Sequence, residues 1–169
     1  MSRDPAWRSG RAPLATLVAT AVLIAFADQV AKAIVVANLG VGERVSVLGR
    51  FIEIWHAQNQ GAAFSLFQGG LPLFLVVTAI ALGMIAYFHY SFRDRPLWLH
   101  ALLGVVLGGS LGNLADRLRL GYVTDFVSVG IGNLRFPTFN VADASITVGI
   151  GLLLAYLWWT DPGRQRAVA

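Results

Sequence analysis

Four apolar runs, each long enough to cross a lipid bilayer, constrain this chain more than any other feature. They cover about residues 13–36, 71–90, 97–118 and 141–159. A helix needs about 20 residues to span the hydrocarbon core, and it satisfies its backbone hydrogen bonds within the segment, as lipid requires. The sequence therefore predicts an all-α integral membrane protein with four transmembrane helices, organised as a single membrane domain over residues 1–169.

The composition agrees with this fold class and excludes several kinds of site. Hydrophobic residues make up 56% of the chain and charged residues only 13%, whereas a soluble domain carries about 25% charged residues. The chain has no cysteine, which excludes disulfides, thiolate nucleophiles and cysteine-ligated metals. Its three histidines lack metal-binding spacing, so we predict no metal and no other cofactor. The net charge of +4 comes from arginines near the ends of the apolar runs, so nucleic acid is not an expected partner.

The arginines also predict the orientation of the helices. They flank the first run on its N-terminal side, lie between the second and third runs, and follow the fourth: Arg3, Arg8, Arg11, Arg93, Arg95, Arg164 and Arg166. The positive-inside rule places these segments, and hence both termini, in the cytoplasm. The loops at about 37–70 and 119–140 then face the periplasm. These loops also carry arginines, so the charge bias is clear without being absolute.

The first of these outer loops contains two short strand-like runs. Arg44–Val47 and Phe51–Trp55 are rich in β-branched or aromatic residues, and Leu48-Gly49-Arg50 separates them as a turn would. We expect a small β-rich element on the periplasmic surface. Its apolar residues could rest on lipid, cover a site between the helices, or simply form a packed connector, and the sequence does not choose among these.

Two aspartates, Asp125 and Asp143, bracket the second outer loop close to apolar segments. A carboxylate at bilayer depth costs roughly 2.5–3.5 kcal/mol on insertion scales, so a membrane protein retains such groups when they are paired, hydrated or functional. Two carboxylates that share a site can hold one proton between them. Such a pair supplies one general base and one general acid, which together suffice to activate water for attack on an amide bond.

Other polar residues fall at the same predicted depth. Asp28 and Lys32 have the i, i+4 spacing of a helical ion pair, and the Asp28 carboxylate could also organise nearby backbone. Gly108 and Gly112 have the spacing that permits close helix packing. We expect a site on the outer side of the membrane, formed by Asp125 and Asp143 together with Asp28, Asn59, Asn113, Asp116, Arg117 and Asn140.

These residues lie in motifs that resemble those of lipoprotein signal peptidase, the type II signal peptidase of bacteria. The motifs occur in the family's order along nearly the whole chain: Asp28 to Lys32, Asn59 to Phe64, Gly108 to Arg117, Val123 to Phe126, and Phe139 to Asp143. One departure is Ala31, where many members carry serine or threonine. Five motifs on a four-span scaffold make the resemblance highly specific.

The resemblance implies an aspartic endopeptidase of the bacterial inner membrane. It implies that Asp125 and Asp143 are the catalytic dyad, without saying which is the base and which the acid. Supporting or substrate-binding positions would be Asp28, Lys32, Asn59, Gly109, Asn113, Asp116, Arg117, Asn140 and Ala142. The implied substrate is a diacylglyceryl-modified prolipoprotein cleaved just before its lipidated cysteine, and the implied inhibitor is globomycin.

Two further expectations concern partners and alternatives. Membrane lipid is an expected partner, and we expect a monomer. The main alternative is a small four-helix proton-coupled transporter, which also has four spans and an intramembrane acid. Transporters usually place that acid near the midplane on a path to both sides, whereas the ionisable groups here cluster toward one face.

Overall fold

The computed structural model describes residues 11–61, 70–132 and 134–160. Four helices and four short strands follow one another: α1 Arg11–Asn38, β1 Arg44–Leu48, β2 Ile52–Asn59, α2 Gly70–Ser91, α3 Leu97–Leu120, β3 Val123–Ile131, β4 Leu134–Arg135 and α4 Val141–Trp159. All four helices are long and apolar enough to cross a membrane. The four predicted helices are thereby confirmed, and each of the eight predicted ends lies within two residues of the observed one.

Helix α3 is the central helix, because glycines let its neighbours approach closely. A Cβ atom on Gly104 would lie 2.5 Å from the backbone oxygen of Leu17, and one on Gly108 would lie 2.5 Å from that of Ala21. Such small residues allow helix backbones to touch in a membrane protein. The predicted packing role of Gly108 is confirmed, and its partner is α1.

The apolar core lies at the end of the bundle where α1 and α3 begin. It is formed by buried side chains from all four helices: Leu17, Ile85, Phe92, Leu99, Leu102, Leu103, Val106 and Leu153. His100 is buried at this end, and its Nδ1 lies 3.0 Å from Nδ1 of His89. The buried polar side chains Asp28, Lys32, Asn113 and Asp116 lie in the opposite halves of α1 and α3.

The strands form one antiparallel sheet in the order β1-β2-β3-β4. The predicted β1–β2 hairpin is confirmed, with Val45 opposite Ile54. The second outer segment, expected to be a loop, instead contributes β3 and β4. Gly121 ends α3 in the left-handed conformation, with its N–H bonded to the oxygen of Arg117, and β3 begins two residues later. There β3 pairs with β2, which places Asp125 opposite Ala57.

Candidate active site

Asp125 lies near the start of β3, with a hydrogen-bond donor on each carboxylate oxygen. Nδ2 of Asn59, at the end of β2, donates to Oδ2 over 2.8 Å. Nδ2 of Asn140, just before α4, donates to Oδ1 over 2.7 Å. The side chain is buried, so these amides replace the water that would otherwise solvate the carboxylate.

Asp143 lies in the first turn of α4 and is also bonded on both oxygens. Asn140 caps this helix: its Oδ1 accepts from the backbone N–H of Asp143 over 2.9 Å, and its own N–H donates to Oδ2 of Asp143 over 3.2 Å. The two residues thus form a reciprocal capping box. Nδ2 of Asn113, from α3, donates to Oδ1 of Asp143 over 2.7 Å.

Asn140 therefore contacts both acids directly. It is fully buried, and its side chain spans the space between the strand that carries Asp125 and the helix that carries Asp143. Its Nδ2 also lies 3.2 Å from Oδ1 of Asn113. The two acids that the sequence singled out are brought into one site, and a single asparagine joins them.

A buried ion cluster lies beneath this pair. Nζ of Lys32 is 2.7 Å from Oδ2 of Asp28, 2.9 Å from Oδ2 of Asp116 and 3.0 Å from Oδ1 of Asn113. The predicted ion pair between Asp28 and Lys32 is confirmed, and Asp116 is a second partner that the sequence did not indicate. One ammonium group thus offsets two buried carboxylates.

Both carboxylates of the cluster also hold backbone next to the acids of the site. Oδ1 of Asp28 accepts from the N–H of Ala142 over 2.9 Å, and Oδ2 of Asp116 accepts from the N–H of Thr124 over 3.1 Å. Asp28 thus fixes the residue immediately before Asp143, and Asp116 fixes the residue immediately before Asp125. The suggestion that Asp28 organises nearby backbone is confirmed.

Helices α3 and α4 pack closely together at Gly109 and Ala142. A Cβ atom on Gly109 would lie 2.6 Å from the backbone oxygen of Ala142, and Ala142 is fully buried. A larger residue at either position would push the start of α4, and Asp143 with it, away from α3.

Arg117 lies beside the site, in a different direction from Asp116. Its guanidinium stacks over the ring of Phe74 at 4.0 Å, and its Nη1 donates to the backbone oxygen of Asn113 over 3.4 Å. It is close enough to Asp143 and Asp125 to interact with their charges. Arg117 therefore supplies positive potential at the edge of the site.

Gln29 is a further member of the polar cluster that was not predicted from the sequence. Its Nε2 donates to Oδ1 of Asp116 over 2.8 Å and to the oxygen of Gly112 over 3.2 Å. The available signal was an amide within an apolar run, directly after Asp28. Of the predicted segment from Asn59 to Phe64, residues 62–64 lie outside the described residues.

The environment raises the pKa of Asp125 to about 6. Burial is the largest cause, since it disfavours the charged form, and the nearby charge of Asp143 acts in the same direction. The hydrogen bonds from Asn59 and Asn140 oppose the rise. An acid with a pKa this close to neutrality is suited to proton transfer.

Across residues 11–61, 70–132 and 134–160, no group of three or more histidine, cysteine, aspartate or glutamate residues could hold a metal ion. His56 bonds through Nδ1 to the oxygen of Leu39 at 2.8 Å, as a structural histidine does.

Comparison with known proteins decides the family. The model of the family described as signal peptidase (SPase) II matches residues 20–159. The chain belongs to the signal peptidase II family. It is therefore an aspartic-type peptidase that cleaves lipoprotein signal peptides. A proton-coupled transporter gains no support from any of the matches.

Individual relatives agree with this assignment. The lipoprotein signal peptidase of Dehalococcoides mccartyi (strain ATCC BAA-2100 / JCM 16839 / KCTC 5957 / BAV1) is 49% identical over 137 residues, which are 78% of this chain and 82% of the relative. That of Syntrophotalea carbinolica is 35% identical over 154 residues, covering 89% and 95% of the two chains. A bacterial membrane enzyme solved at 1.9 Å superposes with a TM-score of 0.75 and 30% identity, covering 87% of this signal peptidase and 95% of that chain.

Proposed function

We propose that Asp125 and Asp143 are the catalytic dyad that hydrolyses the peptide bond just before the diacylglyceryl-modified cysteine of a prolipoprotein. The observation that carries this proposal is the sharing of Asn140 by both acids. Asn140 donates to Asp125 over 2.7 Å and through its backbone to Asp143 over 3.2 Å. Each carboxylate oxygen has received one amide donor and retains a lone pair with which to accept from a water between the two acids.

In the mechanism that we infer, one proton is distributed over the pair. The raised pKa of Asp125, about 6, favours Asp125 as the protonated member. Asp143, ionised, takes a proton from the water as the water attacks the scissile carbonyl carbon. Asp125 donates its proton to the carbonyl oxygen. In the second step Asp143 gives its proton to the amide nitrogen, and Asp125 takes one back from a hydroxyl of the tetrahedral intermediate. The C–N bond breaks, the amine of the lipidated cysteine is released, and the signal peptide leaves with a new carboxylic acid that ionises in water.

The remaining predicted residues support this dyad in the proposal. Asp28, Lys32 and Asp116 form the ion cluster that fixes the backbone before each acid, and Gly109 and Ala142 set the spacing of α3 and α4. Arg117 offers its positive charge to a substrate carbonyl or lipid ester, and Asn59 orients Asp125. No step requires a metal or a nucleophilic side chain, so a chelator is expected to leave turnover unchanged.

We further propose that the dyad lies toward the periplasmic face of the bacterial inner membrane, with both termini in the cytoplasm. The arginine distribution supports this orientation, and Asp125 and Asp143 belong to segments that adjoin the end of α3 and the start of α4. The diacylglyceryl anchor of the substrate would bring the scissile bond to that depth and supply remote binding energy. The enzyme acts as a monomer in membrane lipid and is inhibited by globomycin in this proposal.

Single-turnover cleavage in H₂¹⁸O tests the water attack. We expect one ¹⁸O in the new carboxylate of the signal peptide, cleavage only of the diacylglyceryl-modified precursor, and no hydroxamate when hydroxylamine is added. A hydroxamate would reveal an acyl-enzyme and contradict direct attack by water. Equal cleavage of a precursor without the lipid would contradict the proposed substrate.

A further inference from the structure

The β3–β4 hairpin has one face of apolar residues and one face of charged residues. Ile131 lies opposite Leu134 and Gly130 opposite Arg135. Because side chains alternate across a strand, Val129, Ile131, Leu134 and Phe136 lie on one face, which we call the apolar hairpin face. Ser128 and Arg135 lie on the other face, next to Glu53 of β2.

The exposure of these two faces is the reverse of that in a water-soluble sheet. Leu134 is 83% exposed, Ile131 76% and Phe136 65%. The ion pair between Arg135 and Glu53, at 3.1 Å, keeps only 17% and 13% of the two side chains exposed. In water the apolar face would be expected to pack inward and the charged face outward, so the surroundings of the apolar face are not expected to be water.

Hydrogen bonds of Arg135 on the charged face hold the hairpin in this orientation. Nε of Arg135 donates to Oγ of Ser128 over 2.9 Å, and its Nη1 donates to the oxygen of Arg50 over 3.0 Å. The side chain of Arg135 crosses Gly130, where an added Cβ would lie 2.8 Å from its Cγ. The hairpin therefore cannot turn its charged face outward without breaking the ion pair and these hydrogen bonds.

We propose that the apolar hairpin face contacts the acyl chains of the surrounding bilayer and sets the depth of β3, the strand that carries Asp125. Bilayer lipid is the occupant that fits because these side chains are exposed in the uncomplexed enzyme, and lipid surrounds a membrane protein at all times. A substrate or a second copy of the chain would cover the face only within a complex.

The position of the hairpin supports the same occupant. Leu118 and Leu120 are exposed in the last turn of α3, and β3 begins at Val123, three residues further along. The apolar row also continues across the sheet, from Val127 through Ile54 to the exposed Val45 of β1. Exposed apolar side chains therefore lie both at the end of α3 and on the sheet that follows it.

Spin labelling tests this contact directly, since the chain has no native cysteine. Nitroxides are attached to L134C and, separately, to I131C in vesicles of phosphatidylethanolamine and phosphatidylglycerol at a high lipid-to-protein ratio. Relaxation by oxygen, which concentrates in the bilayer, is compared with relaxation by a water-soluble nickel chelate. L154C, on the exposed face of α4, is the membrane reference. S46C is the aqueous reference, because Ser46 is exposed and lies opposite Glu53.

We expect an oxygen-to-nickel ratio at positions 134 and 131 that is several-fold above that of S46C and approaches that of L154C. A ratio equal to that of S46C would overturn the proposal. So would protection from both reagents in the free enzyme, which would indicate a protein contact. The measurement does not use catalysis, so its outcome is independent of the dyad assignment.

Discussion

The backbone N–H of Ala142 donates a 2.9 Å hydrogen bond to the carboxylate of Asp28, which lies 114 residues earlier in the chain. A matching bond joins the N–H of Thr124 to Asp116. Because Lys32 pairs with both of these carboxylates, one ammonium group controls the backbone before each proposed catalytic acid. Side chains of α1 and α3 therefore hold the backbone segments that carry the two proposed catalytic acids.

Replacing Lys32 with methionine should destabilise the enzyme strongly. The change leaves Asp28 and Asp116 buried without their cation, and breaking a buried ion pair costs about 3–5 kcal/mol. Adding Asp116→Asn should recover part of this loss, since only one uncompensated carboxylate then remains. Thermal unfolding in lipid micelles of the two single variants and the double variant measures the coupling. A Lys32→Met protein as stable as the wild type would show that the cluster does not need its cation.

Asn140→Ser should separate the two roles of this residue. Serine is a good N-cap, so α4 should keep its cap, and the free energy of unfolding should fall only by the loss of the buried hydrogen bond to Asp125, about 1.5–3 kcal/mol. The donor to Asp125 is lost, and we expect kcat to fall at least about tenfold, the effect of about 1.4 kcal/mol on the barrier. Asn140→Ala loses both the cap and the donor to Asp125, so its melting temperature should fall further than that of Asn140→Ser. Full activity in Asn140→Ser would contradict the bridging role.

Asn59→Ala should move the alkaline limb of the kcat/KM profile to higher pH. Asn59 donates to the ionised form of Asp125 and so lowers its pKa. Without this bond the pair should keep its proton to higher pH. A hydrogen bond to a charged group contributes about 1.5–3 kcal/mol, which corresponds to a shift of about one pH unit or more. The exposed neighbour Gln58, changed to alanine, is the control and should leave the limb in place. A downward shift would contradict the assigned role.

The same raised pKa predicts how stability depends on pH. Asp125 titrates at about 6 in the folded protein against an ordinary value of 3.8. The folded state therefore binds more protons than the unfolded state between about pH 4 and pH 6, and the free energy of unfolding falls as the pH rises through this window. Asp125→Asn should remove this contribution. The free energy of unfolding, measured at about pH 4 and at about pH 6, should therefore differ less in the variant than in the wild type.

Gly109→Ala should impair catalysis by displacing α4. The new methyl group would meet the backbone oxygen of Ala142 at 2.6 Å, and overpacking of this kind costs about 1–3 kcal/mol. Gly151→Ala, in α4, is the control for a glycine in open space, since an added Cβ at Gly151 would have no neighbouring heavy atom within 4 Å. Peptidase activity and thermal stability should fall in the first variant and remain near wild type in the second. Equal activity and equal thermal stability of the two variants would contradict the proposed role of the contact between Gly109 and Ala142.

Much of this architecture could be predicted from the sequence because it depends on local patterns. The four helices follow from the length of apolar runs, and the β1–β2 hairpin follows from two β-branched runs around Gly49. The Asp28–Lys32 pair follows from i, i+4 spacing. The strand β3 was missed because its partner is β2, about 70 residues away, and pairing at that distance leaves no local signal. For the same reason the contact of Asn59 with Asp125 could not be read from spacing.

The most direct test of the proposed dyad is the single-turnover rate of two variants, Asp125→Asn and Asp143→Asn, on a diacylglyceryl-modified precursor. Each variant must first be shown to insert and to melt as a folded protein. We predict that each rate falls by at least about 10³-fold, since each loss removes a proton-transfer group worth about 10²–10⁴-fold and the two acids act as a unit. Near-wild-type cleavage by either variant would contradict the assignment of Asp125 and Asp143 as the catalytic pair.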